Sequence, residues 1–281
     1  MESLEMRGLN LDRQSFLGPE SDVILERCHV GMIGCGGGGS HVGQQLAHLG
    51  VGLVSTFDHD RVEDTNLNRL VGATGADVAR QTQKVEIAER VIKAVNPRAR
   101  VFAVAEKWQN AADRLRLCDV IFGCVDSLVE RQQIEVLARR YLIPYIDIGM
   151  DVHRVDQRFA IGGQVTLSLP GEPCLRCLGI IRDELLAEEA GRYGAAGSRP
   201  QVVWPNGVLA STAVGLFANL IAPWHAGDVP LLLEYDGNTH TVFPSQKLRY
   251  VRRGHCPHFE ALEDLGDPFW TPEQIVAARH D

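Results

Sequence analysis

The sequence predicts an α/β fold with a Rossmann-like, doubly wound and mainly parallel sheet. Two observations carry this prediction. Short apolar runs alternate with helical segments up to about residue 150, and a glycine-rich turn joins the first run to the first helix. After that point an alternating stretch from Phe159 to Leu169 predicts antiparallel strands, which extend the sheet.

The elements of the first half follow from apolar periodicity and from glycine or proline punctuation. Strands are predicted at residues 29–34, 53–58, 101–105, 119–124 and 145–148, and helices at 40–49, 78–95 and 128–141. The helix over 78–95 is expected to be continuous, because apolar residues recur at helical spacing until Asn96-Pro97 ends it.

The second half contains a long connection, residues 178–206, with one short helix near Asp183 to Glu189. Beyond it we expect a helix at 208–224, a hairpin with strands at 231–235 and 239–243, and a short C-terminal helix that begins near Thr271. The predicted division is an N-terminal leader at 1–27, a main domain at 28–260 with its core at 28–150 and its extension at 151–260, and a tail at 261–281.

Composition limits the possible functions of the 281-residue chain. A net charge of −8 and a pI of about 5.7 argue against nucleic-acid binding. No apolar run is long enough to span a bilayer and the N-terminus lacks an apolar signal region, so we expect no membrane association and a cytoplasmic location. Seven cysteines, an odd number, indicate a reducing compartment and a metal site rather than a disulfide framework.

The glycine-rich turn is the most informative local feature. Gly34, Gly36 and Gly39 have the spacing G-x-G-x-x-G, which brings backbone N–H groups and a helix N-terminus to a phosphate. Asp58 ends the next strand, where an acid can hold a ribose hydroxyl. An adenine nucleotide is therefore predicted. These residues alone also fit an NAD(P)-dependent oxidoreductase, a plain tight turn, or an Asx-turn at Asp58.

Further motifs follow in a fixed order. They are Asp58-His59-Asp60-Arg61-Val62, then Asn66-Leu67-Asn68-Arg69, then Lys84, then Gly123-Cys124-Val125-Asp126-Ser127, and finally Cys174-x-x-Cys177. In this order the chain resembles the ubiquitin-activating-enzyme superfamily over about residues 10–260, and most nearly the bacterial ThiF, MoeB and HesA adenylyltransferases.

The resemblance implies ATP-dependent adenylation of the C-terminal glycine carboxylate of a ubiquitin-like or sulfur-carrier protein, with magnesium as cofactor. It implies these roles: Gly34, Gly36, Gly37, Gly39 and Asp60 in the nucleotide site, Asp58 on the ribose, Asn66, Arg69 and Lys84 on the phosphates, and Asp126 on magnesium. Read in isolation, Asn66 fits a turn cap, Arg69 a surface ion pair, Lys84 a solvated face and Asp126 a helix cap.

Arg13 resembles the arginine with which this family reaches the neighbouring subunit's phosphates, and the resemblance therefore implies a homodimer. Arg13 equally fits an ordinary residue of the leader. The remaining functional alternatives are the oxidoreductase and a non-catalytic scaffold that binds a ubiquitin-like partner.

The family closes a structural zinc site with two cysteine pairs, and here the second pair is incomplete. Cys174 and Cys177 form the first pair, Cys256 begins the second, and Phe259 stands where its partner would be. His258 or His255 is a candidate fourth ligand, and a zinc-free hairpin is the alternative. Residues 178–206 contain no cysteine, so a thioester on that connection is not expected.

Overall fold

The protein is described by a computed structural model that covers residues 9–191 and 200–259. These residues form one eight-stranded sheet with the strand order β3-β2-β1-β4-β5-β6-β7-β8. Strands β1 to β5 pair in parallel, and β6, β7 and β8 continue the sheet as antiparallel neighbours. The predicted fold class is confirmed.

The strands are β1 (His29–Ile33), β2 (Leu53–Phe57), β3 (Arg100–Val104), β4 (Val120–Gly123), β5 (Tyr145–Val155), β6 (Arg158–Ser168), β7 (Leu232–Asp236) and β8 (Thr241–Pro244). The α-helices are α1 (Ser21–Arg27), α2 (Gly37–Leu49), α3 (Gly75–Arg80), α4 (Lys84–Val95), α5 (Leu128–Arg140), α6 (Asp183–Gly191) and α7 (Val203–Ile221). Short 3₁₀ helices cover Asp12–Leu17, Asp64–Asn66, Trp108–Leu117 and Gln246–Tyr250.

The helices cover both faces of the central strands. Every residue of β1 is buried, as expected for a parallel strand with helices above and below it. Helix α2 packs against α4 and α7, while α5 packs against β4, β5 and α6. None of the helices in the described ranges is long and apolar enough to span a membrane.

The expected continuous helix over 78–95 is wrong, because the chain breaks at Gln81. Gln81 adopts a left-handed conformation with φ of 52°, which ends α3. The N–H of Val62 donates to the carbonyl of Thr82, and the N–H of Lys84 donates to that of Asp60. Residues 82–84 are thus drawn to the segment that follows β2, and Lys84 begins a new helix instead of lying within one.

Smaller differences concern the ends of elements. Helix α2 begins at Gly37 rather than Ser40, since a run of glycines does not look helical in sequence. Strand β5 continues seven residues past Ile148, to Val155, and forms a long hairpin with β6 around Asp156. The helix predicted near Thr271 lies outside the described residues.

Candidate active site

The glycine-rich turn has the form that its spacing predicts. Gly34 has a φ of 89°, and a side chain there would collide with the carbonyl of Cys124. A side chain at Gly39 would collide with the carbonyl of Gly34. Gly36 is the N-cap of α2 and faces open space. The first N–H groups of α2 therefore lie beside an open cleft, where an anion can accept their hydrogen bonds.

Asp58 lies against this turn. One carboxylate oxygen accepts a hydrogen bond from the N–H of Cys35 at 2.8 Å, and the other accepts from the N–H of Asp60 at 2.9 Å. The Asx-turn reading is thus correct, and Asp58 also lines the cleft. The two readings are compatible, because the hydrogen bonds fix the carboxylate at the edge where a ribose would lie.

Two connected cavities lie at the carboxyl ends of the parallel strands. The larger, of about 490 Å³, is lined among others by Gly34, Asp58, Lys84, Trp108 and Asp126. The smaller, of about 80 Å³, adjoins it and is lined among others by Gly36, Gly37, Asn66, Arg69, Met150 and Asn206. Lys84 and Asp126 line both cavities, so they mark the junction between them.

Lys84 is the first residue of α4 and is held by an ion pair. Its Nζ lies 2.7 Å from Oδ2 of Asp60, and its side chain is 13% exposed. Partial burial raises the pKa of Asp60, but the hydrogen bond and charge of Lys84 outweigh this and lower it. The solvated-face reading of Lys84 is therefore wrong, since its ammonium group is directed into the cleft with a carboxylate as counter-ion.

Asn66 and Arg69 line the small cavity together with Lys84. The Oδ1 of buried Asn66 accepts from the N–H of Glu63 at 3.0 Å, so Asn66 does cap a turn while it lines the small cavity. Arg69 donates to the carbonyl of Thr65 at 2.7 Å and to Oδ1 of Asn68 at 3.1 Å. Both acceptors are neutral, so within the described ranges no carboxylate pairs with the Arg69 guanidinium.

Asp126 follows β4 and is exposed at the cavity junction. The helix-cap reading of Asp126 is wrong, because Ser127 is the N-cap of α5 and accepts from the N–H of Glu130 at 3.2 Å. The Asp126 carboxylate lines both cavities and accepts a hydrogen bond from the side-chain amide of Gln201. A single carboxylate beside a phosphate site fits Mg²⁺, which takes the rest of its oxygen ligands from phosphates and water.

A buried polar group beneath this edge could not be recognised from the sequence. Arg131 of α5 donates to the carbonyls of Val125 and Ile148, each at 3.1 Å, and so joins the segment that follows β4 to strand β5. Its guanidinium lies 3.7 Å from the Asp147 carboxylate, which also accepts from the Tyr145 hydroxyl at 2.8 Å. Burial raises the pKa of Asp147, although Arg131 and Tyr145 oppose this.

A cluster of sulfur and nitrogen atoms lies away from the cleft. The Sγ of Cys177 is 3.7 Å from that of Cys174 and 3.8 Å from that of Cys256, and the Nδ1 of His258 is 3.4 Å from Cys174 and Cys177. A tetrahedral zinc site has edges of about 3.8 Å between two sulfurs and about 3.6 Å between sulfur and nitrogen. Of the two candidate histidines, His258 belongs to this cluster, and among the described residues His255 does not.

Two buried polar side chains, Glu135 and Arg139, lie beneath the cluster and support it. Glu135 of α5 accepts from the hydroxyl of Ser168 at 2.6 Å and from the N–H of Leu175 at 2.9 Å, and burial raises its pKa to about 7. Arg139, one turn later, donates to Ser168, and its guanidinium carbon lies 5.0 Å from the ring centroid of Phe259. Phe259 therefore packs on Arg139 and takes no part in the cluster.

Arg13 does not reach either cavity of its own chain. It is exposed on the first 3₁₀ helix. The neighbouring Gln14 anchors this helix through a hydrogen bond to the carbonyl of Leu49. A role in a partner's site stays a prediction.

The profile of the ThiF family matches residues 10–242. The chain belongs to the ThiF family. The resemblance seen in the motifs is thereby confirmed.

Among curated relatives of this ThiF family chain, the sulfur carrier protein adenylyltransferase of Thermus thermophilus is 34% identical over 58% of the chain and 59% of its own length. The SAMP-activating enzyme E1 of Haloferax volcanii is 32% identical over 63% of the chain and 64% of its own length. The matches thus span about three-fifths of these relatives. A solved structure of E. coli MccB with ATP has the same fold, with a TM-score of 0.65 over 88% of the chain and 70% of MccB at 21% identity.

Proposed function

We propose that the protein adenylates the C-terminal glycine carboxylate of a ubiquitin-like or sulfur-carrier protein at the expense of ATP. One observation carries the proposal. The N-terminus of α2, Arg69, Lys84 and Asp126 converge on a single pair of joined cavities. A dinucleotide-dependent oxidoreductase requires the glycine turn and Asp58, but it has no use for two cations and a carboxylate at the phosphate end.

The reaction joins two anions, which explains this set of residues. The carboxylate oxygen of the tail attacks the α-phosphorus of ATP, the bond from that phosphorus to the bridging oxygen breaks, and pyrophosphate leaves. Arg69 and Lys84 reduce the repulsion between carboxylate and triphosphate, and the α2 N–H groups hold the phosphate oxygens. Magnesium, held by Asp126, would supply further positive charge to the phosphates.

The two cavities have sizes that suit the two substrates. The larger one, with Asp58 and Trp108, accommodates a nucleoside. The smaller one is bounded by Gly36, Gly37 and Gly38, and a side chain at Gly37 would meet the amide of Asn206. Because the groups assigned to the phosphates line the same narrow space, the tail carboxylate has to enter beside them, which favours a last residue without a side chain.

The known relatives support the same reaction. The two curated relatives are named as a sulfur carrier protein adenylyltransferase and as a SAMP-activating enzyme E1, and the structural neighbour was solved with ATP. The shared ThiF family domain includes every cleft residue from Gly34 to Asp126. We extend their activity to this chain on that basis.

We further propose that Cys174, Cys177, Cys256 and His258 hold one structural zinc ion. The donor set and its edge lengths fit tetrahedral zinc, and four protein ligands leave no open position for catalysis. All seven cysteines lie in the described residues and none forms a disulfide, which agrees with a reducing compartment such as the cytoplasm. A homodimer in which Arg13 reaches the partner's site completes the proposal.

The test is ATP–pyrophosphate exchange by the purified protein, with small candidate carriers that end in Gly-Gly. We expect exchange with the full-length carrier and none with the same carrier lacking its last glycine. Calorimetry should show binding of ATP and not of NAD(H). Binding of NAD(H) in preference to ATP would overturn the proposal, and carrier binding without exchange would leave the scaffold reading.

A further inference from the structure

The segment that leads into α7 crosses the small cavity. Gln201 lines that cavity just before α7 begins at Val203. This segment returns from the long connection after Cys177, and its position was not evident from the sequence. Gln201 forms hydrogen bonds with two residues near this cavity, Asp126 and Asn68.

Gln201 makes a direct contact with Asp126. Its side-chain amide nitrogen lies 3.1 Å from Oδ1 and 3.2 Å from Oδ2 of that carboxylate. In the part of the chain that the structure describes, Asp126 has no other hydrogen-bond partner for its side chain. The direction of the Asp126 carboxylate is therefore set by Gln201.

The backbone of Gln201 is held by Asn68. Its carbonyl accepts a hydrogen bond from Nδ2 of Asn68 at 3.1 Å, and Oδ1 of the same Asn68 accepts from Arg69 at 3.1 Å. A continuous polar chain thus runs from Arg69 through Asn68 and Gln201 to Asp126. This chain of hydrogen bonds connects the Arg69 guanidinium to the Asp126 carboxylate.

The other described end of the connection contacts the same loop. Glu189 of α6 accepts from the hydroxyl of Ser127 and, at 2.8 Å, from the N–H of Leu128. Glu189 and Gln201, on either side of residues 192–199, therefore both bond to residues 126–128. The loop that carries Asp126 is thus fixed at one end by strand β4 and is also held by hydrogen bonds from this connection.

We propose that Gln201 is a positioning residue that orients Asp126 toward the nucleotide-bound magnesium ion, and that Asn68 holds Gln201 in place for this purpose. The inference rests on the proposed function, because it requires that Asp126 serves a metal–nucleotide complex. Gln201 donates from one amide nitrogen to both oxygens, so a cation that takes one oxygen leaves the other in contact with Gln201. The carboxylate then meets the cation in a preset orientation, without the entropy cost of ordering it.

The experiment measures binding of α,β-methylene ATP, which resists cleavage between the α- and β-phosphates, by calorimetry with EDTA and with Mg²⁺. For each variant the ratio of the two dissociation constants reports the gain due to magnesium. Gln201→Met keeps the length of the side chain and removes the donor. We expect the gain to fall about tenfold while the dissociation constant in EDTA changes less than about twofold.

Two further variants sharpen the test. Asn68→Ala releases the backbone of Gln201 but leaves its amide, so we expect a smaller loss of the magnesium gain, about threefold. Combined with Gln201→Met it should add nothing, because both substitutions break one chain of contacts. Gln133→Met is the matched control, since Gln133 is exposed on α5 and, among the residues that the structure describes, bonds to Gln109 alone. It should leave both constants unchanged.

The outcomes separate the two proposals. An unchanged magnesium gain in Gln201→Met would overturn the positioning role, and a larger gain would show that Gln201 competes with the metal, which overturns it as well. A wild-type protein that binds the analogue equally in EDTA and Mg²⁺ would instead refute the magnesium assignment of Asp126. If it binds no nucleotide at all, the proposed function fails.

Discussion

The two ends of helix α5 carry two sites that are built in opposite ways. At its N-terminus the cleft is open, and Asp126 is exposed with one amide as its hydrogen-bond partner in the described structure. Toward its C-terminus the cysteine cluster rests on buried Glu135 and Arg139, whose polar atoms bond to Ser168 and to backbone groups. A site that must exchange ligands keeps weak contacts, whereas a structural site has its geometry fixed by burial.

This contrast predicts that changes in the cluster act on stability and changes in the cleft act on activity. Helix α5 runs from the cleft to the cluster. Substitutions near its N-terminus should therefore act mainly on activity, and those near its C-terminus mainly on stability.

The largest effect is expected at the cluster. Cys174→Ala should abolish binding of the proposed zinc ion and lower the free energy of unfolding by roughly 4 kcal/mol or more. It removes one ligand, and the other three ligands then lose the metal that holds them together. Metal analysis and thermal unfolding measure this. Cys28→Ala, which removes a buried thiol elsewhere, should keep the zinc. Less than half an equivalent of zinc in the wild type would count against the site.

Asp126→Ala should reduce ATP–pyrophosphate exchange by roughly 100- to 1000-fold, since it removes the carboxylate assigned to magnesium. The free energy of unfolding should change by less than about 0.5 kcal/mol, because Asp126 is exposed. Asp228→Ala, an exposed acid in a remote loop, is the control for both measurements. Exchange at the wild-type rate in Asp126→Ala would remove the metal assignment.

Glu135→Gln should change how stability depends on pH. Burial raises the pKa of Glu135 from 4.5 to about 7, so between these values the folded state binds more protons than the unfolded one. Stability is then lost as pH rises through this window, by about 1–3 kcal/mol. Denaturant unfolding at pH 5 and pH 8 should show that the variant loses less stability between them. Glu86→Gln, on an exposed face of α4, should behave as wild type.

The smallest effect is expected where α5 begins. Ser127→Ala removes the N-cap and the partner of Glu189, and should cost about 1 kcal/mol of unfolding free energy. It should also weaken nucleotide binding, because Ser127 adjoins Asp126. Thr74→Ala removes the cap of α3 and should cost the same stability without that second effect. Equal nucleotide binding in both variants would contradict a link between α5 and the cleft.

Local pattern was enough to predict the parallel half of the sheet, whereas most of the cleft residues were predicted from the resemblance to a known family. The carboxyl ends of parallel strands meet at one edge of a sheet, so the positions of the glycine turn, Asp58 and Asp126 after their strands predict that they lie together. The glycines follow from the same logic, since only glycine fits the close approach between Gly34 and Cys124.

The parts that were missed depend on contacts between residues distant in sequence. The break at Gln81 arises because residues 82–84 pair with the segment after β2, and apolar periodicity is blind to this. Gln201 reaches Asp126 across 75 positions of the chain, and Arg131 acquires its role only when β5 brings Asp147 beside α5. Polar residues of this kind have no periodicity, so no sequence pattern reveals them.

The most direct test of the account is a crystal structure with α,β-methylene ATP and Mg²⁺. The account predicts phosphate oxygens within hydrogen-bond distance of the N–H groups at Gly36 to Gly38, side chains of Arg69 and Lys84 on the phosphates, and the metal on Asp126. A nucleotide whose phosphates lie away from these groups, or a metal bound elsewhere in the cleft, would contradict it.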